Sequence, residues 1–114
     1  MDLVWILNGV WDALIAFALI RNPGPYSARR AWRKDRITAI YCIAMAWLCL
    51  HTYAGQSAAV RAVALKMVTA ERIGYVALLA HDLTMRPADM NKFERSLLVV
   101  NGLLLGQCLM HLIL

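Results

Sequence analysis

Asn8 and Asp12 stand one helical turn apart inside the apolar stretch "LVWILNGVWDALIAFALI" (residues 3–20), and Glu71–Arg72 falls at the middle of a second long stretch. A carboxylate set among apolar side chains needs a cation, a proton or a metal ion beside it. Arg72 suits Asp12, because a guanidinium offers a planar fork of donors that fits a carboxylate. Glu71 then either shares that arginine or is neutralised by a proton. The amides of Asn8, Asn101 and Gln107 are placed to add hydrogen bonds. Two chemistries follow. Such a cluster acts as glue that fixes helix register, each polar contact contributing ~0.6–2 kcal/mol. Alternatively, Asp12 or Glu71 takes up and releases a proton or cation during transport. Glue is the simpler expectation, although two carboxyls against one arginine leave an excess that asks for a reason.

A second set of reactive side chains comprises Cys49, His51, Cys108 and His111, with Asp2 at a similar depth. Thiols with imidazoles are zinc or copper ligands in principle, and Cys49 with Cys108 is a candidate disulfide. The spacing matches no metal motif and includes no C-x-x-C pair, so no metal or other cofactor is expected. The third cysteine, Cys42, also lies in an apolar run, where cysteine acts as a small hydrophobe. There is no phosphate-binding glycine loop, nucleophile elbow or H-E-x-x-H. His81–Asp82 is the only adjacent acid–base pair, and a solvated helix end explains it. Enzyme activity is not expected.

The elements that position these residues follow from composition. The chain has 114 residues, 61% hydrophobic and 17% charged, against ~45–50% and ~25% in ordinary soluble domains. So short a chain has too little interior to hide that much apolar surface. Residues 3–20, 37–54 and 97–114 are apolar runs of eighteen residues. Each is ~27 Å long as a helix, near the minimum for a bilayer core. The first carries no basic n-region or small-residue cleavage site and is expected to be a retained span rather than a signal peptide.

The segment 57–85 is less apolar. On a helical wheel Arg61, Glu71, Arg72, Tyr75 and Asp82 share one arc, with Lys66 apart and long enough to snorkel. That stripe faces either a bundle interior or water at a membrane surface. A spanning helix over about 60–82 brings Arg86, Lys92 and Arg95 to the side of the basic loop 21–36. Nine of the twelve basic residues then share one side, as the positive-inside rule requires. The expected fold is therefore an all-α, integral-membrane four-helix bundle forming one domain, residues 1–114. Its topology is antiparallel, up-down, with both termini outside. Three spans plus one interfacial helix are the alternative.

The basic loop 21–36 holds Arg29, Arg30, Arg33, Lys34 and Arg36, with Tyr26 and Trp32 between. Nucleic acid would suit such a stretch, but between two spans its simplest partners are anionic lipid headgroups. Gly102 and Gly106 in "NGLLLG" permit close helix approach, as does Gly9 with Ala13. One of these faces is expected inside the bundle and the other at an oligomer contact. Trp5, Trp32 and Trp47 read as interfacial belt residues, and Trp11 as too deep for that. The functional expectation is an accessory or scaffold subunit that associates with itself or with larger membrane proteins. A proton- or cation-coupled transporter or channel using Asp12, Glu71 and Arg72 is the alternative.

Overall fold

The computed structural model describes residues 2–21, 32–85, 87–89 and 92–113. Among them are four α-helices, α1 (Asp2–Arg21), α2 (Trp32–Tyr53), α3 (Ala58–Met85) and α4 (Lys92–Ile113), a 3-10 turn at Pro87–Asp89, and no strand. The local sequence accounts for the boundaries. Pro23 and Pro25 follow α1 and cannot continue a helix. After α2, Gly55 takes φ +123°, a conformation that favours glycine. Ser57 then caps α3, its Oγ accepting from the Val60 amide at 3.3 Å. Arg95 ties α4 to the 3-10 turn, donating from Nη2 to the Pro87 carbonyl at 2.7 Å.

Two helices begin earlier than hydropathy alone suggests. α2 starts at Trp32, so Arg33, Lys34 and Arg36 belong to its first turns rather than to a loop, and α4 starts at Lys92. Lys, Arg and Glu are good helix formers, so helix continues after the apolar run ends. Arg29 and Arg30 lie outside the described residues.

α1 packs chiefly on α2, and α3 on α4. The interior has two apolar layers. One joins Val4 and Trp5 of α1 to Met45 and Cys49 of α2, Ala64, Leu65 and Val68 of α3, and Cys108 of α4. The other joins Ile15, Ala16 and Leu19 to Ala39, Cys42, Leu79 and Leu97. The start of α1 thus meets the end of α2, the start of α3 and the end of α4, which makes the four helices alternate in direction. Trp5 is completely buried, not at an interface as expected from tryptophan's habits, and Trp47 is 72% exposed.

Polarity is inverted relative to a water-soluble bundle. Asn8, Asp12, Thr69, Glu71, Arg72, Glu94 and Asn101 are buried, while Leu14, Phe17, Ile40, Val63, Leu103 and Ile113 are among many exposed large apolar side chains. In water the reverse distribution is usual. Among the described residues two helices are long and apolar enough to cross a membrane, Leu3–Ile20 with mean hydropathy 2.0 and Lys92–Ile113 with 1.8. The apolar part of α2, Thr38–Tyr53, is shorter, and α3 is interrupted by its charges.

The glycines divide sharply. A Cβ on Gly9 would meet Leu50 at 3.0 Å and the Cβ of Cys49 at 3.2 Å, so α1 and α2 touch there. Gly102 and Gly106 have nothing within 4 Å of a built Cβ, so of the two small-residue faces it is Gly9's that meets another helix of this chain. Accordingly, Gly9→Val should destabilise the protein by ~1–3 kcal/mol through overpacking. Gly106→Ala, which adds a methyl to open space on a helix, should be neutral or stabilising by up to ~1 kcal/mol. Thermal or denaturant unfolding followed by circular dichroism checks both.

Candidate functional site

Asp12 is central in α1, Arg72 in α3 and Asn101 in α4, so alternating helices bring them to one level between the apolar layers. Arg72 is completely buried and organises that level. Its Nε donates to Asn8 Oδ1 at 2.7 Å, Nη1 to Asn101 Oδ1 at 2.8 Å, and Nη2 to Asp12 Oδ1 at 2.9 Å. Nη2 also lies 3.5 Å from the Asn8 carbonyl. One side chain thereby binds α1 and α4 to α3. The planar fork matters, since no other cationic side chain points donors in three fixed directions.

The amides that receive these bonds are themselves oriented. Asn8 Nδ2 donates to the Val4 carbonyl at 2.8 Å and approaches Cys108 Sγ at 3.8 Å. Asn101 Nδ2 donates to the Leu97 carbonyl at 2.7 Å. Each donates one amide hydrogen to its own preceding turn and leaves Oδ1 for the arginine, which determines which way the amide faces. From α2, the Cys42 thiol reaches the Tyr75 hydroxyl at 3.2 Å, so all four helices contribute to the layer or its edge.

The acids are less evenly satisfied. Asp12 Oδ2 and both oxygens of Glu71 receive no bond from an N–H or hydroxyl donor, but the two carboxyls lie within hydrogen-bond reach of each other, so one proton held between them would join the pair. Glu71 Oε1 is 3.3 Å from Arg72 Nη2, an ion-pair distance without hydrogen-bond geometry. Two buried carboxyls therefore face one guanidinium. With both ionised the layer carries one excess negative charge, costly in an apolar interior.

Of the residues singled out from sequence, Asn8, Asp12, Glu71 and Arg72 converge here. Gln107 does not contribute to the arginine's shell. Its Oε1 is buried without a partner, and Asn101 occupies the place facing Arg72. The thiol–imidazole set separates: Cys49 and Cys108 are buried in the apolar layer, whereas His51 is exposed, stacked on Trp47 and bonded to Gln56 Nε2 at 2.9 Å. Among the described residues no three His, Cys, Asp or Glu side chains converge as metal ligands, and the three cysteines are free thiols. His81 Nδ1 and Asp82 Oδ1 are 3.9 Å apart at the surface. Sequence reasoning passed over Glu94, buried in the first turn of α4, where an acid suits the positive end of the helix. It also passed over Cys42–Tyr75, although Tyr75 is one turn from Arg72 on the polar stripe.

Burial of all three thiols has a direct consequence. Cys42, Cys49 and Cys108 should react with a maleimide reagent at least tenfold more slowly in the folded protein than after denaturation in SDS. The comparison is made by intact-mass analysis over time. The factor corresponds to the ~1.4 kcal/mol that a local opening would have to exceed.

No protein-family profile, curated protein or solved structure matches this chain.

Proposed function

We propose that the chain is a multi-pass integral membrane protein whose four helices all cross the bilayer, and that it serves as an accessory or scaffold subunit by lateral helix association. The observation that carries this reading is the inversion of polarity: polar groups converge on Arg72 inside one chain while large apolar side chains are exposed on all four helices. Lipid tails are as apolar as that perimeter. The long axis of 43 Å also agrees with the ~40–45 Å of a bilayer including headgroups. Because Arg72 spends its donors on its own chain, association with other helices falls to the outside. Gly102 and Gly106, one turn apart on α4 with open space before them, favour a close-packed partner there. Interfacial placement of α3 is disfavoured by its two buried central charges.

Two measurements test this. Single cysteines at positions 29 and 92, in a background with the native thiols replaced, should label from the same side of intact vesicles. Labelling from opposite sides would eliminate the four-span arrangement. In mild detergent, Gly102→Leu with Gly106→Leu should reduce self-association or recovery of a co-purifying membrane protein while leaving the helical signal intact. Unchanged association would remove the scaffold role assigned to this face.

Two buried carboxyls, Asp12 and Glu71, close enough to share a proton beside one guanidinium favour one further reading, a proton- or cation-coupled carrier. For that reading Glu71→Gln preserves assembly but abolishes pH-driven flux in proteoliposomes. A scaffold shows no flux in either protein.

A further inference from the structure

A concavity of ≈ 380 Å³ lies between the start of α3 and the end of α4, at the end of the bundle opposite the start of α2. Its apolar part is formed by Ala58, Ala62 and Leu65 of α3 and Leu112 of α4, and its polar part by Arg61, Lys66 and His111. Two of its lining residues, Ala58 and Ala62, are small and exposed. Around α3, at ~100° per residue, Arg61 and Lys66 are ~140° apart, with Leu65, Ala58 and Ala62 between them. Two cations thus bracket an apolar strip. Lys66 starts ~7.5 Å deeper along the helix than Arg61, and its flexible stem lets the ammonium reach back towards the helix end. His111 adds an imidazole from the opposite wall. Among the described residues no acid lines the groove.

This combination selects a class of ligand. A free inorganic anion would use the cations and leave the strip unsatisfied, and a neutral tail would do the opposite. The volume lies within the ~300–1,000 Å³ usual for small-molecule sites. We propose that this groove holds one anionic phospholipid, its phosphate met near the helix ends by Arg61, His111 and the ammonium of Lys66 reaching back, with one acyl chain passing Ala62 and Leu65 towards the bilayer interior. The proposal rests on the membrane reading above. It places a lipid site at the end of the molecule away from Arg33, Lys34 and Arg36, built by side chains from two helices rather than by a run of positive charge.

The test uses the full chain reconstituted in vesicles of equimolar phosphatidylcholine and phosphatidylglycerol, extracted in mild detergent and analysed by native mass spectrometry. Phosphatidylglycerol should be retained at one molecule per chain in clear excess over phosphatidylcholine. Lys66→Gln should lower that retention about fivefold, the factor one basic residue contributes near an anionic surface. Ala62→Leu, which fills the groove and keeps every charge, should lower it too, with Ala58→Leu as the substitute if the first variant loses helicity. Lys92→Gln, at the other end, should leave it unchanged. Equal retention of both lipids overturns the proposal, as does full displacement by millimolar inorganic phosphate. So does a preference that survives both Lys66→Gln and groove filling. Extraction at alkaline pH separates the two failures: a chain that stays in the membrane pellet without lipid preference loses only the groove, and one released into solution loses the membrane reading as well.

Discussion

Arg72→Met is expected to destabilise the folded protein by ~3–5 kcal/mol, the usual result of removing one partner from a buried ion pair. Methionine fills much of the volume, so the loss is electrostatic and polar rather than a cavity effect. Asn8 Oδ1, Asn101 Oδ1 and Asp12 Oδ1 all lose their donor at once, and Glu71 loses the cation at 3.3 Å. Arg72→Lys separates charge from geometry. It retains the positive charge but cannot aim at α1 and α4 together, and ~1–3 kcal/mol should be lost for the acceptors left unsatisfied. Reversible unfolding in mixed SDS and mild-detergent micelles, followed by circular dichroism, gives both values. An Arg72→Met protein as stable as the parent would mean that the buried layer is not what joins α3 to α1 and α4.

The second large effect runs in the opposite direction. Replacing the ionised layer as a whole, with Arg72→Met, Asp12→Leu and Glu71→Gln in one chain, should recover most of the loss caused by Arg72→Met alone, a gain of ~3 kcal/mol or more. Removing a buried charged cluster together avoids stranding any charge, and well-packed apolar replacements are often neutral or stabilising. The same unfolding assay measures it, with Asp12→Leu/Glu71→Gln as the control that strands the arginine. Recovery of stability with unchanged association supports a structural role for the layer. Recovery of stability with loss of a proteoliposome flux would assign the layer to transport. Failure of the triple variant to fold would show that the polar layer specifies the packing and is not replaceable by volume alone.

Much of the helical organisation is legible in the chain because hydropathy and helix length are local properties. Counting from the ends of the runs puts Asp12 and Arg72 at one level, and guanidinium–carboxylate geometry does the rest. What counting does not give is rotation. Asn101 and Gln107 are ~120° apart around α4, and nothing local says which of them faces the arginine. Gly102–Gly106 and Gly9–Ala13 present the same small-residue pattern, yet only Gly9 meets a neighbouring helix of the chain. Trp5 departs from the expectation of an interfacial belt for a related reason. Its type favours an interface, but its phase on α1 turns it inward beside Val4, Met45 and Cys49. The early starts of α2 and α4 escape a hydropathy window because charged residues are good helix formers even where they are poor companions for lipid.

Because the first pair of helices contains Asp12 and the second contains Arg72, the halves are electrically unfinished in different ways. During synthesis Asp12 emerges sixty residues before Arg72, so in a bilayer the leading hairpin must wait with an uncompensated acid until the trailing hairpin is threaded. Two chains divided in the short connection at Gly55–Ser57 would leave Asp12 without a cation in one half and Arg72 with only Glu71 and Asn101 beside it in the other, and their reunion would restore the bonds from Arg72 to Asn8 and Asp12.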